Sequence, residues 1–300
     1  MNKNVTIITP IYNRSYAIEK LYNSLLNQTQ KNFEWLVVDD GSSDNIRSII
    51  DSYIKEGNIE IKYIYQENGG KHRALNNGIS KIETPLTFIV DSDDYLKSNA
   101  IEIINKYFEK YKDNENLCGM SFLRCYPDGK INGPKYPKDE FISDYIKCRL
   151  NKNIWGDKAE VFFTKKLKEF PFLEVPGEKF LVESYVWVKL AMKYDMVFIN
   201  LDIYIGEYLE DGLTQNRKIV KVKSPIGVVE KSKVLCNKKS NFKVKCKAMI
   251  FYIAYGKFAQ IKLKKLFKEI NYKGLFLVML PLGYMYKIKI SLDIRKKSNI

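Results

Sequence analysis

The first hundred residues alternate between short apolar segments typical of β-strands and segments whose apolar residues recur at helical spacing. Strand-like segments lie at 5–9, 35–39, 59–65 and 86–90. Three of the four are continuously apolar, as expected for parallel strands that are covered on both faces. The alternation predicts an α/β fold with a mostly parallel, doubly wound sheet and helices on both of its faces.

Each strand-like segment ends in a polar cluster. In chain order the clusters read TPIYN, DDGSSD, QENGGKHR and DSDD. The carboxyl ends of parallel strands lie along one edge of a sheet, and such sheets bind ligands at that edge. We therefore expect the four clusters to form one binding site.

The last cluster places three carboxylates, Asp91, Asp93 and Asp94, directly after an apolar strand. Like charges this close repel one another, and partly buried carboxylates are costly unless a positive charge meets them. A bound cation would meet that need. The Gly69-Gly70 turn, with Lys71, His72 and Arg73 opening a helix, supplies donors and positive charge suited to phosphates. A nucleotide with a metal is the predicted ligand.

Each cluster also has a simpler interpretation. Asp39, Asp40 and the two serines that follow could form only a turn and a helix N-cap. The sequence NGG is a common turn, and His72 alone is most simply a surface residue at the start of a helix. The coincidence of polar clusters at all four strand ends favours a functional site.

The net charge of +15 is distributed unevenly over the 300 residues. Residues 1–215 hold 28 Lys and Arg against 32 Asp and Glu, whereas residues 216–300 hold 22 against 3. We therefore predict two parts, 1–216 and a basic helical region at 217–300. The five cysteines lack CxxC spacing, and the N-terminus lacks a signal-peptide pattern. These features favour a reducing cytoplasm.

Several motifs, in their order and spacing, resemble a family-2 glycosyltransferase of the GT-A fold, of the kind that builds bacterial surface polysaccharide. The motifs are VTIITPIYNRSYAIEKLYNSLLNQT, EWLVVDDGSSD, ENGGKHRALNNGI and FIVDSDDYL. The segment DSDD resembles the DXD element of that family. The resemblance continues through WGDKAEVF, GEKFLVESYVWVKLAMKYD and EYLEDGLTQN, so it covers about residues 4–216.

The resemblance implies roles for individual residues. Asp40 would accept from the uracil ring N–H, and Asp93 would bind Mn²⁺ or Mg²⁺, hard cations that favour oxygen ligands. Asp91 would hold the ribose or the waters of the metal. The remaining residues implied to contact the nucleotide-sugar are Thr9, Pro10, Tyr12, Asn13, Asn68, Gly70, Lys71, Arg73 and Ser92.

An inverting transferase needs a carboxylate that accepts the proton of the acceptor hydroxyl. Glu183 is the predicted base, although members of the family commonly show Glu-Asp where this chain reads Glu183-Ser184. Glu183 could instead be only a favourable acid at a helix N-terminus. Asp157, in WGDKAEV, is a second carboxylate that could orient the acceptor or the sugar.

The basic tail interleaves lysines with aromatic residues. Its longest uncharged run, 274–286, is shorter than the roughly 20 residues of a membrane-spanning helix, and Pro281 is expected to interrupt it. Basic residues beside apolar aromatics favour docking on an anionic membrane surface. A basic helical subdomain packed on the catalytic part and a nucleic-acid-binding face are the alternatives.

Proteins of two other classes share some of these features. A receiver-type signalling module also has paired acids after an apolar strand, but it does not explain the Gly-Gly-Lys turn. A nucleotide- or nucleic-acid-binding protein with a basic tail is the non-enzyme alternative. Nucleic-acid binding would explain the tail but not the acidic N-terminal clusters.

We therefore expect an inverting, metal-dependent enzyme that moves a sugar from a UDP-sugar to a lipid-linked glycan in capsular or other surface polysaccharide. A protein or teichoic-acid-type acceptor is the alternative. The expected location is the inner face of the plasma membrane.

Overall fold

A computed structural model describes residues 3–206 and 217–298. These residues form one nine-stranded sheet with helices on both faces, followed by a helical C-terminal region. The strands are β1 (Val5–Ile11), β2 (Phe33–Asp39), β3 (Ile61–Tyr65), β4 (Leu86–Ile89), β5 (Tyr95–Leu96), β6 (Leu117–Cys125), β7 (Glu140–Ser143), β8 (Lys158–Phe163) and β9 (Asp195–Ile205). The α-helices of the sheet domain are α1 (Ile18–Leu26), α2 (Ile46–Glu56), α3 (Lys71–Ser80), α4 (Ala100–Tyr111), α5 (Thr164–Lys168) and α6 (Ser184–Lys193), and a π-helix spans Ile146–Asn151.

The α/β fold predicted from the alternating pattern is confirmed, but the sheet is mixed. Its strand order is β3-β2-β1-β4-β8-β6-β9-β5, and β7 pairs with β9. The pairs β3-β2, β2-β1 and β1-β4 are parallel, whereas β8 runs antiparallel to both β4 and β6. The parallel part brings the carboxyl ends of the first four strands to one edge.

Two hydrophobic clusters cover the two faces of the sheet. Apolar residues of α1, α2 and α4 pack in the first cluster, and those of α3 and α6 pack in the second. The central strands β1 and β2 are buried along their whole length. Their continuous apolar sequences follow from this burial on both faces.

The C-terminal region is helical, as predicted, and packs around its own apolar cluster. Its helices are α7 (Arg217–Lys223), α8 (Pro225–Leu235), α9 (Phe242–Phe258), α10 (Leu263–Glu269) and α11 (Lys273–Ser298). The predicted boundary at 216/217 falls at the end of the stretch EYLEDGLTQN, residues 207–216, which lies outside the described residues.

Polar contacts join this region to the sheet domain. The buried Glu178 carboxylate accepts hydrogen bonds from the backbone N–H groups of Ile226 and Gly227, 2.8 and 3.2 Å away, at the first turn of α8. Lys231 Nζ donates to the Ser184 hydroxyl at 2.6 Å, next to Glu183. The C-terminal region therefore supports the loop and helix that carry the predicted base.

The structure corrects two expectations about individual residues. Pro281 lies inside α11 and does not end it, so the helix is longer than the uncharged run suggested. By length and composition alone, the 24-residue segment Lys273–Lys296 could cross a membrane. The interpretation of His72 as a surface residue is also wrong, because its side chain is 2% exposed. Burial, with a smaller effect from Arg73, lowers the pKa of His72.

Candidate active site

The polar clusters after β1 and β2 are joined by direct hydrogen bonds. Asn13, which has a positive φ of 50°, accepts through Oδ1 from the backbone N–H of Ser43 at 2.8 Å. The hydroxyl of Ser42 accepts from the Asn13 N–H at 2.9 Å. Tyr12 stands beside them with half of its side chain exposed. Hydrogen bonds therefore hold these two loops together, with the exposed ring of Tyr12 beside them.

Two predicted nucleotide contacts, Thr9 and Pro10, lie within strand β1. The side chain of Thr9 is fully buried, and its hydroxyl accepts from the Trp35 indole N–H at 3.0 Å. Pro10 is also buried, paired with Val38 of β2. The geometry gives no support to a contact between the Thr9 side chain and a ligand.

Asp40 holds the glycine turn that precedes α3. Its carboxylate accepts at 2.8 Å from the backbone N–H groups of Gly69 and Gly70, and it also accepts from the side chains of Gln66 and Asn68. A carboxylate has about four lone-pair positions, so these donors fill them. Contact with a uracil ring, the role predicted for Asp40, would require one of these donors to move.

Gly70 adopts a conformation that other residues avoid. Its φ is +97°, and a Cβ atom there would lie 2.1 Å from the carbonyl oxygen of Lys179. The loop that carries Lys179 therefore sits directly on the glycine turn. Lys179 Nζ also donates to Asn68 Oδ1 at 2.8 Å.

The three clustered carboxylates have different surroundings. Asp94 is 1% exposed, and its Oδ2 atom accepts from Arg124 Nη2 and from the Tyr204 hydroxyl, both at 2.7 Å. Asp91 Oδ1 lies 2.6 Å from Lys71 Nζ. Two of the three carboxylates are therefore paired with a basic side chain of the protein itself. The sequence alone predicts a bound cation in that role.

Asp93 is the carboxylate left without such a cation. Among residues 3–206 and 217–298 it has no ion pair within 4 Å. Burial, and then the neighbouring charge of Asp91, raise the pKa of Asp93 above its ordinary value. A partly buried carboxylate next to a second one, both at the rim of the site, is a donor set that fits a hard divalent cation.

The described part of the chain contains no complete set of metal ligands. Within residues 3–206 and 217–298, no three His, Cys, Asp or Glu side chains are grouped so that they could hold an ion. Protein ligands from Asp93 and Asp91 would therefore have to be completed by other oxygens, such as those of a diphosphate or water.

Lys71 joins the carboxylate cluster to the predicted base. Its Nζ atom lies 2.6 Å from Asp91 Oδ1 and 2.6 Å from Glu183 Oε1. Burial alone would lower the pKa of Lys71, but the two carboxylates outweigh it and raise that pKa. Lys71 in turn holds the pKa of Asp91 below its ordinary value, against the effect of burial. Glu183 immediately precedes α6, as predicted.

Arg73, which was predicted to reach the diphosphate, instead contacts the loop between α5 and α6. Its guanidinium donates to the carbonyl oxygen of Val175 at 3.0 Å and lies 3.8 Å from the Glu174 carboxylate. Both partners belong to the loop between α5 and α6. The structure therefore assigns Arg73 to holding this loop, which also carries Glu183.

Asp157 lies at the same edge of the sheet as the carboxylate cluster. Strand β8 runs antiparallel to β4, with Val161 opposite Phe88. Continued by three residues, this register brings Lys158 level with Asp91, so that the exposed Asp157 lies just beyond. Ser92, in contrast, is 7% exposed.

Sequence reasoning missed Arg124 and Tyr204. The Tyr204 hydroxyl accepts from the Asp91 N–H at 3.1 Å and donates to Asp94, while the Arg124 guanidinium lies 4.5 Å from the centre of the Tyr204 ring. Both residues come from β6 and β9, far along the chain from DSDD. No local sequence signal links them to it.

An open α/β sheet with polar residues converging at the carboxyl ends of its strands belongs to the class that binds ligands at that edge. The family model described as Glycosyl transferase family 2 matches residues 6–155. The chain belongs to this family and is a glycosyltransferase.

Two relatives and one solved structure extend the comparison. Glycosyltransferase GlyG of Streptococcus pneumoniae is 30% identical over 216 residues, 68% of this chain and 71% of GlyG. The GalNAc(5)-diNAcBac-PP-undecaprenol beta-1,3-glucosyltransferase of Campylobacter jejuni is 27% identical over 288 residues, 90% of this chain and 89% of that protein. Staphylococcus aureus TarS 1-349 in complex with UDP-GlcNAc has a TM-score of 0.63 and 17% identity, covering 98% of this chain and 92% of that one. The last similarity shows the GT-A fold.

Proposed function

We propose that the protein is an inverting, metal-dependent transferase that moves a sugar from a UDP-sugar to a hydroxyl of a lipid-linked glycan in surface-polysaccharide synthesis. The observation that carries this proposal is the shared cation between Asp91 and Glu183. A carboxylate suited to the donor side and one suited to the acceptor side lie on either side of a single ammonium group. The name of the Campylobacter relative, which specifies an undecaprenol-linked glycan, supports the choice of acceptor.

The proposed reaction is a single displacement at the anomeric carbon. The Glu183 carboxylate takes the proton of the acceptor hydroxyl, whose oxygen forms the new bond to the anomeric carbon. The bond from that carbon to the diphosphate oxygen breaks, and its electron pair leaves with UDP. Attack from the face opposite the leaving group inverts the configuration.

Lys71 has a double task in this reaction. Its ammonium group pairs with Glu183, and diphosphate oxygens would compete for the same group. Donor binding therefore lessens the hold of Lys71 on Glu183 and frees the carboxylate to accept a proton. The same ammonium group then stabilises charge on the departing diphosphate.

Asp93, with Asp91 beside it, would hold the Mn²⁺ or Mg²⁺ ion. Such an ion supplies Lewis-acid stabilisation of the negative charge that grows on the leaving diphosphate. The raised pKa of Asp93 supports this assignment, since a carboxylate crowded by another one gains most from a nearby cation. Asp94 is the least suited of the three to hold the ion, because its Oδ2 atom already accepts from Arg124 and Tyr204.

We also propose that the C-terminal region docks the enzyme on the inner face of the plasma membrane. One face of α11 packs on α9, where Gly283 lies against Ile253. The other face exposes an apolar stripe, Leu277, Val278, Leu282, Met285, Ile288 and Leu292. With 100° per residue these six residues fall within one side of the helix. Lys289 and Lys296 project on that same side, where they would meet anionic headgroups.

Docking on the membrane fits the packing better than crossing it. A spanning α11 would have to remove its inner face from α9 or take α9 into the bilayer. Helix α9 begins with three lysines, Lys243, Lys245 and Lys247. Lysines of this kind are costly in the hydrocarbon core and favourable at an anionic surface.

A donor panel tests the proposed reaction. The protein is incubated with UDP-glucose, UDP-galactose, UDP-GlcNAc or UDP-GalNAc, with Mn²⁺ or Mg²⁺ and octyl glycoside acceptors, and released UDP is measured. We expect one donor to give metal-dependent UDP release that is lost in EDTA. Full activity in EDTA, or binding of none of the four donors in calorimetry, would reject the proposal.

A further inference from the structure

Trp155 is a large apolar side chain that packing among the described residues leaves mostly exposed. It is 63% exposed, whereas the other two tryptophans, Trp35 and Trp187, are 0% and 8% exposed. Among residues 3–206 and 217–298, its indole stacks on no other aromatic ring. An exposed tryptophan beside a catalytic edge is a strong candidate for a binding contact.

A buried arginine holds the backbone of the segment that carries Trp155. Arg149, 8% exposed, donates through Nε to the carbonyl oxygen of Ile154 at 3.0 Å and through Nη2 to that of Gly156 at 2.5 Å. Its third contact is Glu160 Oε1 at 3.2 Å. Because the carbonyl groups on both sides of Trp155 are fixed, the indole is displayed from a rigid backbone.

Two glycines bring a second loop against this backbone. A Cβ atom on Gly133, which has a φ of +72°, would lie 2.3 Å from the carbonyl oxygen of Trp155. A Cβ atom on Gly156, with a φ of +86°, would lie 2.4 Å from the carbonyl oxygen of Asn132. Only glycine fits both positions without strain, so the close contact that supports Trp155 is built into the chain.

The sheet order places Trp155 on the acceptor side of the proposed reaction. Along the edge, β2 and β1 carry Asp40 and Tyr12, β4 leads to Asp91, and β8 follows Asp157. Trp155 therefore lies beyond Asp91, on the side away from the proposed nucleotide pocket. Only Gly156 separates it from Asp157, whose charge and that of Glu183 both act on the buried Tyr145.

We propose that Trp155 is a stacking platform for a pyranose ring of the acceptor glycan. This inference rests on the proposed transferase function and deepens it by assigning an acceptor subsite. One face of a pyranose ring carries mainly C–H groups, which bury apolar surface against an indole, while its hydroxyls remain free for polar groups. Asp157 lies where it would accept a hydrogen bond from such a hydroxyl.

Acrylamide quenching of tryptophan fluorescence tests the platform directly. Because Trp35 and Trp187 are buried, quenching should report almost entirely on Trp155, and Trp155→Phe should abolish most of it. The probes are methyl β-glycosides of glucose, galactose, GlcNAc and GalNAc at millimolar concentration, added with saturating UDP and Mn²⁺. We expect at least one of them to lower the quenching constant about twofold, as stacking covers one face of the ring.

Acceptor kinetics provide the second measurement. Trp155→Ala should raise KM for an octyl glycoside acceptor about tenfold, and Trp155→Phe less, with the change in KM rather than in kcat. The matched control is Phe242→Ala, which removes another exposed aromatic side chain, 72% exposed, in the C-terminal region. It should leave the acceptor KM unchanged.

The possible outcomes separate this inference from the proposed function. If UDP binds but no glycoside protects Trp155, the platform is rejected and the transferase proposal stands. An unchanged acceptor KM in Trp155→Ala would also reject it. If UDP does not bind at all, the proposed function itself fails. Protection of Trp155 by anionic vesicles instead of glycosides would assign the ring to the membrane and overturn the platform.

Discussion

The Nζ atom of Lys71 lies 2.6 Å from Oε1 of Glu183 and at the same distance from Oδ1 of Asp91. One ammonium group therefore pairs with two carboxylates, one just after β4 and one just before α6. Without it, two negative charges would face each other in a half-buried site. The predicted base, Glu183, is therefore paired with the same ammonium group that would stabilise charge on the leaving diphosphate.

Replacement of Lys71 by methionine should affect both sides of the reaction. We expect transfer to fall by at least about 10²-fold, the usual effect of losing one charge-stabilising donor, and UDP binding to weaken. The measurements are kcat by UDP release and the UDP Kd by calorimetry. The control is Lys112→Met, which removes an exposed lysine paired with Glu109. Equal activity of the two variants would show that Lys71 is only structural.

Replacement of Glu183 by glutamine removes a proton acceptor but keeps the size of the side chain. Turnover should fall by roughly 10² to 10⁴ while UDP binding is retained. The comparison variant is Asp157→Asn, at the other carboxylate of the site. If Asp157→Asn shows that loss and Glu183→Gln does not, Asp157 is the base.

Asp93→Asn tests the proposed metal ligand. We expect transfer to be lost and the enhancement of UDP binding by Mn²⁺ to disappear, because an amide binds hard cations more weakly than a carboxylate does. The melting temperature should not fall, since no ion pair of Asp93 is broken among the described residues. Metal-enhanced UDP binding that survives in Asp93→Asn would place the ion elsewhere.

Asp40 is predicted to contribute to stability as well as to the shape of the site. Asp40→Asn turns an amide N–H₂ toward backbone N–H donors, which should lower the free energy of unfolding by about 1–3 kcal/mol. Urea titration measures the change. Asp51→Asn breaks the exposed pair with Arg47 and serves as the control, with an expected change below about 1 kcal/mol. Equal free energies of unfolding for the two variants would contradict a stabilising role for the hydrogen bonds of Asp40.

The parallel half of the fold was predictable because its signals are local. Strands β1 and β2 are buried on both faces, so their continuous apolar sequences identify them as strands without information from other parts of the chain. The antiparallel strand β8 was missed, since Lys158 and Glu160 interrupt its apolar pattern. Both charged side chains have partners outside the strand. Lys158 donates to the carbonyl oxygen of Asn132, and Glu160 accepts from Arg149.

The sequence predicted where the residues of the candidate site lie better than it predicted which residues they contact. Strand ends can be located from the sequence, and they do bring Asp40, Lys71 and Asp91 to one edge. The partners of these residues depend on tertiary packing. The sequence could not indicate that Arg73 turns toward Val175 or that Arg124 neutralises Asp94.

The exposed stripe of α11 gives the last prediction. Val278, Met285 and Ile288 are 67%, 64% and 54% exposed, so their replacement by serine should not disturb the packing on α9. Each contributes up to about 1.5–3 kcal/mol when it enters an apolar environment. The triple serine variant should therefore bind phosphatidylglycerol vesicles much more weakly in sedimentation, and what remains should be removed by salt.

The matched control replaces three exposed apolar residues outside the stripe, Ile54, Ile142 and Met192, by serine; they are 40%, 46% and 43% exposed. It should bind like the unaltered protein, and neither protein should bind neutral vesicles strongly. This design is preferable to truncation after residue 216, because Glu178 and Ser184 use the C-terminal region as a hydrogen-bonding partner. Equal vesicle binding by the stripe and control variants would reject docking through α11. A loss of self-association in the stripe variant alone would assign the stripe to a second copy of the chain, because the same apolar surface would then be buried between proteins.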